Sequence, residues 1–201
     1  MLTVDSSLRE RLERLENDLT ERPPRFVRVS SIPYAIFHYE PAQERTLRRE
    51  LNNLAARLRR KQNWRVHFVS LGTLLWEAIE RCEGLEAVVE LERAEGFQAA
   101  QEQIYTYLTE EFWQPLPRLV AEAIAAQKAT QPDRDLVLLY RAGAFAPNLY
   151  SMSRLMNELS DEGVQVPVVL FYPGRREGTF GLRYMNLEDR AALGNYRVQI
   201  Y

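Results

Sequence analysis

Two histidines, one cysteine and a closely spaced pair of serines are the side chains from which covalent or general-base chemistry could be assembled here. His38 and His67 each fall inside an apolar run, and a histidine there reads as a hydrogen-bonded strand residue rather than a base or metal ligand. Cys82 stands between Arg81 and Glu83 with no base in its neighbourhood, the pattern of a packing thiol. Ser151 and Ser153 lack the glycines of a G-x-S-x-G elbow. Neither G-x-x-x-x-G-K-[ST] nor G-x-G-x-x-G occurs, and Glu40-Pro41-Ala42-Gln43-Glu44, after the first apolar run, would repel a phosphate rather than cradle it. Glu86, Glu90, Glu92 and Glu95 read as a solvated helix face without a histidine to complete a metal set. The expectation is no catalytic constellation, no cofactor and no metal.

Three segments do break their surroundings: Tyr140-Arg141-Ala142-Gly143-Ala144-Phe145-Ala146-Pro147, Phe171-Tyr172-Pro173-Gly174-Arg175-Arg176-Glu177-Gly178, and Gly181-Leu182-Arg183-Tyr184-Met185. The first two each follow an apolar strand. In an open parallel sheet the C-terminal strand ends share one edge, so Arg141, Tyr172, Arg175 and Arg176 are expected there with Glu40 and Ser70. Pro173-Gly174 suits a type II turn. A buried Arg141 would need an acceptor, either an internal carboxylate such as Glu40 or a group on a partner.

The elements that must position these residues follow from periodicity. Leu8, Leu12, Leu15 and Leu19 form a narrow helical stripe in an N-terminal amphipathic helix (1–24) that Pro23-Pro24 ends. Standing before the first strand, this stripe is expected to lie outside the main core and suit a helix-in-groove contact. Ile32 to Tyr39 is a strand, and Pro41 opens a long helix. On that helix Leu47, Leu51, Leu54 and Leu58 form one face, with Arg45, Arg48, Arg49, Arg59 and Arg60 opposite. Trp64 to Ser70 is the next strand, giving a strand–helix–strand unit and a parallel sheet. A helical insertion (84–130), broken at Pro115 and Pro117, precedes a buried strand at Asp135 to Tyr140. A helix at Tyr150 to Leu159, a strand at Val166 to Tyr172, and two short strands at the sheet edge complete the chain. The fold class is α/β, one domain over 1–201: an open, mostly parallel sheet flanked by helices, Rossmann-like or a degenerate P-loop-like fold.

Composition agrees with one ordinary globular domain: 201 residues, 46% hydrophobic. With 26 Lys plus Arg against 28 Asp plus Glu, a general attraction to nucleic acid is missing. The N-terminus has no signal-peptide pattern, no run is long enough to span a bilayer, and a single cysteine cannot form an internal disulfide. A reducing, cytoplasmic location and no membrane contact are expected.

The Arg-Ala-Gly-Ala turn at residues 141–144, then a helix, then Val168-Val169-Leu170-Phe171-Tyr172-Pro173-Gly174, Leu182-Arg183-Tyr184-Met185 and a closing Tyr196-Arg197-Val198, resemble the BrxB family. The resemblance implies membership in a BREX bacteriophage-exclusion system, which blocks phage DNA replication while the methyltransferase PglX marks host DNA. It implies as companions PglZ, an alkaline-phosphatase-like protein, and BrxC, a large ATPase. It carries over no catalytic residue, so Arg141, Gly143, Tyr172, Pro173 and Gly174 stand as motif positions. The expected function is a non-catalytic assembly or adaptor subunit binding PglZ first, with BrxC and PglX as other partners, through Leu8, Leu12, Leu15 and Leu19 or through Arg175 and Arg176. The alternatives are a DNA-binding accessory protein making weak contacts through the basic helix Arg45 to Lys61, and a nucleotide-processing enzyme whose site is not legible.

Overall fold

Alternation within the apolar runs decides which residue faces which layer. In the computed structural model, which describes residues 2–29, 32–147, 149–177, 181–187 and 198–201, with side chains at 8–28 and from residue 32 on, the strands are β1 (Tyr34–Tyr39), β2 (Arg65–Ser70), β3 (Asp135–Tyr140), β4 (Val168–Glu177), β5 (Gly181–Tyr184) and β6 (Gln199–Ile200). The helices are α1 (Leu2–Asp18), α2 (Arg25–Val29), α3 (Glu44–Gln62), α4 (Leu71–Cys82), α5 (Gly84–Glu95), α6 (Phe97–Thr109), α7 (Leu116–Ala126) and α8 (Met152–Glu158). The sheet runs β2-β3-β4-β1-β6, every neighbour parallel, and β5 returns antiparallel along the far end of β4. The expected open, mostly parallel α/β sheet is therefore present. The first two strands, however, are not neighbours, because β3 and β4 insert between them. Tyr196 and Arg197, expected in the closing strand, and Gly178 lie outside the described residues.

Both sheet faces are covered. Ala35, Phe37 and Tyr39 of β1, Leu136 and Leu138 of β3, and Val169 and Phe171 of β4 pack with Leu47, Leu51, Leu54 and Leu58 of α3. The alternate residues Tyr34, Ile36, Val137, Leu139, Val168, Leu170 and Tyr172 pack with α4, α7 and α8. Strands buried on both faces must be apolar throughout, which is why β3 and β4 read as unbroken runs.

The N-terminal leucines correct the sequence expectation. Leu8, Leu12, Leu15 and Leu19 are all buried, and they join α3 in covering the first sheet face. The Trp64 indole donates to the Leu19 carbonyl at 2.9 Å, Arg57 pairs with Glu16 at 2.8 Å, and the Tyr201 hydroxyl donates to Asp18 at 2.6 Å. The physical reason is area: α3 alone leaves part of the sheet face bare, and each leucine removed from water is worth about 1.5–3 kcal/mol. The stripe is core and offers no docking groove contact.

Local signals set the helix ends. Ser70 caps α4, its Oγ accepting from the Thr73 amide at 3.2 Å. Pro41–Gln43 form a 3-10 turn leading into α3, and Asn63 ends that helix in the left-handed region at φ 56°.

Candidate functional site

The C-terminal edge of the sheet gathers the ends of β1, β3 and β4, as parallel pairing requires. There Pro41, Glu44, Arg141, Gly143, Ala144, Pro173 and Met185 line a shallow cleft of about 320 Å³. Tyr184 donates to the Ala142 carbonyl at 2.6 Å, the Met185 amide donates to the Pro173 carbonyl at 2.9 Å, and Asn186 donates to Glu40 at 2.8 Å. The hairpin of β4 and β5 is thereby tied to the turn after β3. Glu44 accepts from the Tyr39 hydroxyl, and burial with this bond drives the Tyr39 pKa far up. The lining thus includes one guanidinium residue, Arg141, and one carboxylate residue, Glu44, among apolar neighbours.

The structure redistributes the sequence candidates. Arg141 is exposed, not buried; it adopts φ 62°, and no carboxylate among the described residues pairs with it. Its guanidinium lies over Gly72, where a Cβ would stand 3.3 Å from Cζ and 3.2 Å from the Ala144 Cβ. Gly143 is half-buried in the 3-10 turn Ala142–Phe145. Tyr172, Pro173 and Gly174 are buried; of the three only Pro173 lines the cleft, and Tyr172 and Gly174 support it. Pro173-Gly174 is not a turn: the chain continues extended to Glu177, with Gly174 at φ 152° opposite Tyr184. A Cβ on Gly174 would overlap the Arg183 carbonyl, and this close approach is why glycine stands there. Arg175 and Arg176 are exposed on this hairpin, while neighbouring Glu177 is held by Arg183 at 2.7 Å. Ser70 lies on the same edge, in register with Tyr140 beside Arg141, where it caps α4 and does not itself line the cleft.

Both histidines are hydrogen-bonded. His38 Nδ1 is 3.3 Å from the Gly174 carbonyl and Nε2 is 3.1 Å from Arg11, consistent with Nδ1–H donating and Nε2 accepting. Burial, reinforced by the Arg11 charge, lowers the His38 pKa to about 4, so the ring is neutral at neutral pH. His67 donates from Nε2 to Asp135 at 2.8 Å, at the opposite, N-terminal end of β3. Asp135 is buried and also accepts two Arg65 hydrogen bonds at 2.7 Å and the Thr130 and Gln131 amides at 2.9 and 2.8 Å. Burial acts to raise its pKa, yet Arg65, the Gln131 amide and His67 outweigh it and hold the carboxyl at about 2. This cluster clamps the starts of β2 and β3. Among the described residues, no group of three or more His, Cys, Asp or Glu side chains is placed to hold a metal ion.

Two features escaped sequence reasoning. Phe68, read only as a strand residue, and Tyr140, read as the end of a buried strand, are half-buried beside Arg45, Arg48 and Arg49 in a second concavity of about 350 Å³. The signal available was their position near the ends of two adjacent strands, one of them at the sheet edge. The second feature is that the exposed large hydrophobics among the described residues, Trp76, Leu85, Phe97, Tyr105 and Phe112, all fall in the 71–116 stretch between β2 and β3.

No helix among the described residues is long and apolar enough to cross a membrane. No curated protein and no solved structure matches the chain. The family described as BREX protein BrxB matches residues 67–199, from within β2 into β6, well beyond the C-terminal segments that carry the resemblance. With about two thirds of its length matched, the chain belongs to the BrxB family and is a component of a BREX phage-defence system.

Proposed function

We propose that this BrxB-family chain is a non-catalytic assembly subunit that docks another BREX component, PglZ being the first candidate and BrxC and PglX the next, through exposed apolar side chains of α4 to α6 and the loop after α6. The observation that carries the reading is the concentration of exposed apolar side chains there. Phe112 is 98% and Phe97 59% exposed, with Trp76, Tyr105 and Leu85 also open to solvent. Aromatic residues of this kind, kept in water at a cost, are the anchors that interface cores bury. Glu83, Glu86, Glu90, Glu92 and Glu95 fall in the same stretch, all but one on α5, and add carboxylates suited to a partner with basic residues. The non-catalytic part of the reading is supported by the strand-end cleft, where the lining residues supply no nucleophile hydrogen-bonded to a base.

Co-expression with each BREX neighbour and affinity capture of this chain test the proposal. Wild-type protein is expected to retain a partner, and Phe97→Glu with Phe112→Glu to lose it at an unchanged thermal midpoint. Capture of no BREX component by wild type sinks the assembly reading. Retention by the double variant sinks this surface, and loss on Arg175→Glu with Arg176→Glu would move the contact to the β4–β5 hairpin.

A further inference from the structure

Arg45, Arg48, Arg49 and Asn52 are spaced i, i+3, i+4 and i+7, so they form one stripe on α3, and the cleft they line is floored by Phe68 and Tyr140. The aromatic pair is held by sheet register. Phe68 lies opposite Leu138, which puts Tyr140 on the diagonal, and the two rings meet edge to face at 6.0 Å. Both are half-buried, so each keeps part of its ring in the cleft, and the Tyr140 hydroxyl has no partner among the described residues. No carboxylate lines the cleft. Arg45 and Arg48 have no ion pair among the described residues, and Arg49 reaches only Glu50, at 3.8 Å, while largely exposed. Three like charges on one stripe repel one another, an arrangement that a polyanion relieves.

We infer that this cleft binds single-stranded nucleic acid, with the three arginines on successive phosphates and a base stacked against Tyr140 and Phe68. The combination of a cationic wall with aromatic rings at its floor is the chemistry that grips a strand whose bases are open. A duplex hides its base faces and could engage only the rim. The site stands apart from the aromatic side chains of the proposed docking face, which belong to α4–α6 and the loop after α6. Its success or failure is therefore separate from theirs.

The test is fluorescence anisotropy of the full chain with a labelled twelve-nucleotide thymidine oligomer, a uridine oligomer of the same length, and a duplex. The expected result is binding of at least one single strand, at least about tenfold tighter than duplex, with a log–log salt slope of about −2 from three phosphate contacts. Arg45→Glu with Arg48→Glu, both exposed, should abolish binding. Tyr140→Leu, which keeps apolar volume but removes the ring, should weaken it about tenfold. Thermal midpoints confirm that each variant is folded. Absence of single-strand binding at 50 mM salt, equal or tighter duplex binding, or an unchanged affinity in either variant would overturn the inference.

Discussion

Replacing Asp135 by asparagine tests the clamp between the starts of β2 and β3 in quantitative terms. With a pKa of 3.8 in the unfolded chain and about 2 when folded, this carboxylate contributes about 2 kcal/mol at neutral pH. Because the folded value is the lower one, the contribution is complete above the unfolded pKa and disappears as the pH falls through the folded one. On the order of 1 kcal/mol of it goes between pH 5 and pH 3, and the rest below. Asparagine is nearly isosteric, but its amide nitrogen would turn a donor toward Arg65, His67 or the Thr130 and Gln131 amides, all donors themselves. Asp135→Asn is therefore expected to cost about 2–3 kcal/mol at pH 7, near the low end for a broken buried pair because Arg65 remains half-exposed. Urea unfolding followed by circular dichroism reads this as a midpoint lower by about 1 M. The decisive comparison repeats the curves at pH 5 and pH 3. Wild type should lose about 1 kcal/mol more than the variant, since every other titrating group, His38 included, is present in both. An equal acid-induced loss in the two proteins would refute the reasoning.

Other outcomes follow from the same geometry. His38, with a folded pKa of about 4 below its unfolded 6.5, stabilises fully above pH 6.5 and loses that contribution down to pH 4; His38→Gln should flatten the stability profile over this window by about 2–3 kcal/mol, and an unflattened profile would count against a neutral buried ring. Leu15→Ala should cost about 2–5 kcal/mol, and Leu12→Glu with Leu15→Glu should give an unfolded or insoluble chain by circular dichroism, whereas an unchanged midpoint would return the stripe to the surface. Gly174→Ala should lower stability by about 1–3 kcal/mol through its positive φ and the overlap with Arg183, read as a falling thermal midpoint.

Much of the layout was legible because burial leaves a periodic trace. The unbroken runs at Asp135–Tyr140 and Val168–Tyr172 announce strands covered on both faces, and the leucines of α3 announce a helix lying on a sheet. Strand order was not legible, since periodicity says which face a residue takes but not which strand is its neighbour. The leucine stripe of α1 was found, but its destination was misjudged: a narrow apolar face suits an external groove and an uncovered patch of the chain's own sheet equally well. Pro173-Gly174 misled for a local reason, as the pair satisfies a turn while Gly174 in fact answers a clash with Arg183, far along the chain. At the candidate site the arginines stood out by type. The Phe68–Tyr140 pair did not, because partial exposure of an aromatic strand residue depends on what fails to cover it.

The place of β1 in the sheet has a temporal consequence. Its partners are β4 and β6, both encoded more than a hundred residues later. At a synthesis rate of about 5–20 residues per second, an emerging β1 waits on the order of ten seconds before either neighbour exists, while β2 and β3 can already pair with each other. During that interval the apolar strand Tyr34–Tyr39 lacks both sheet neighbours, so a nascent chain that stalls before Val168 carries an unpaired strand, the kind of edge that templates aggregation.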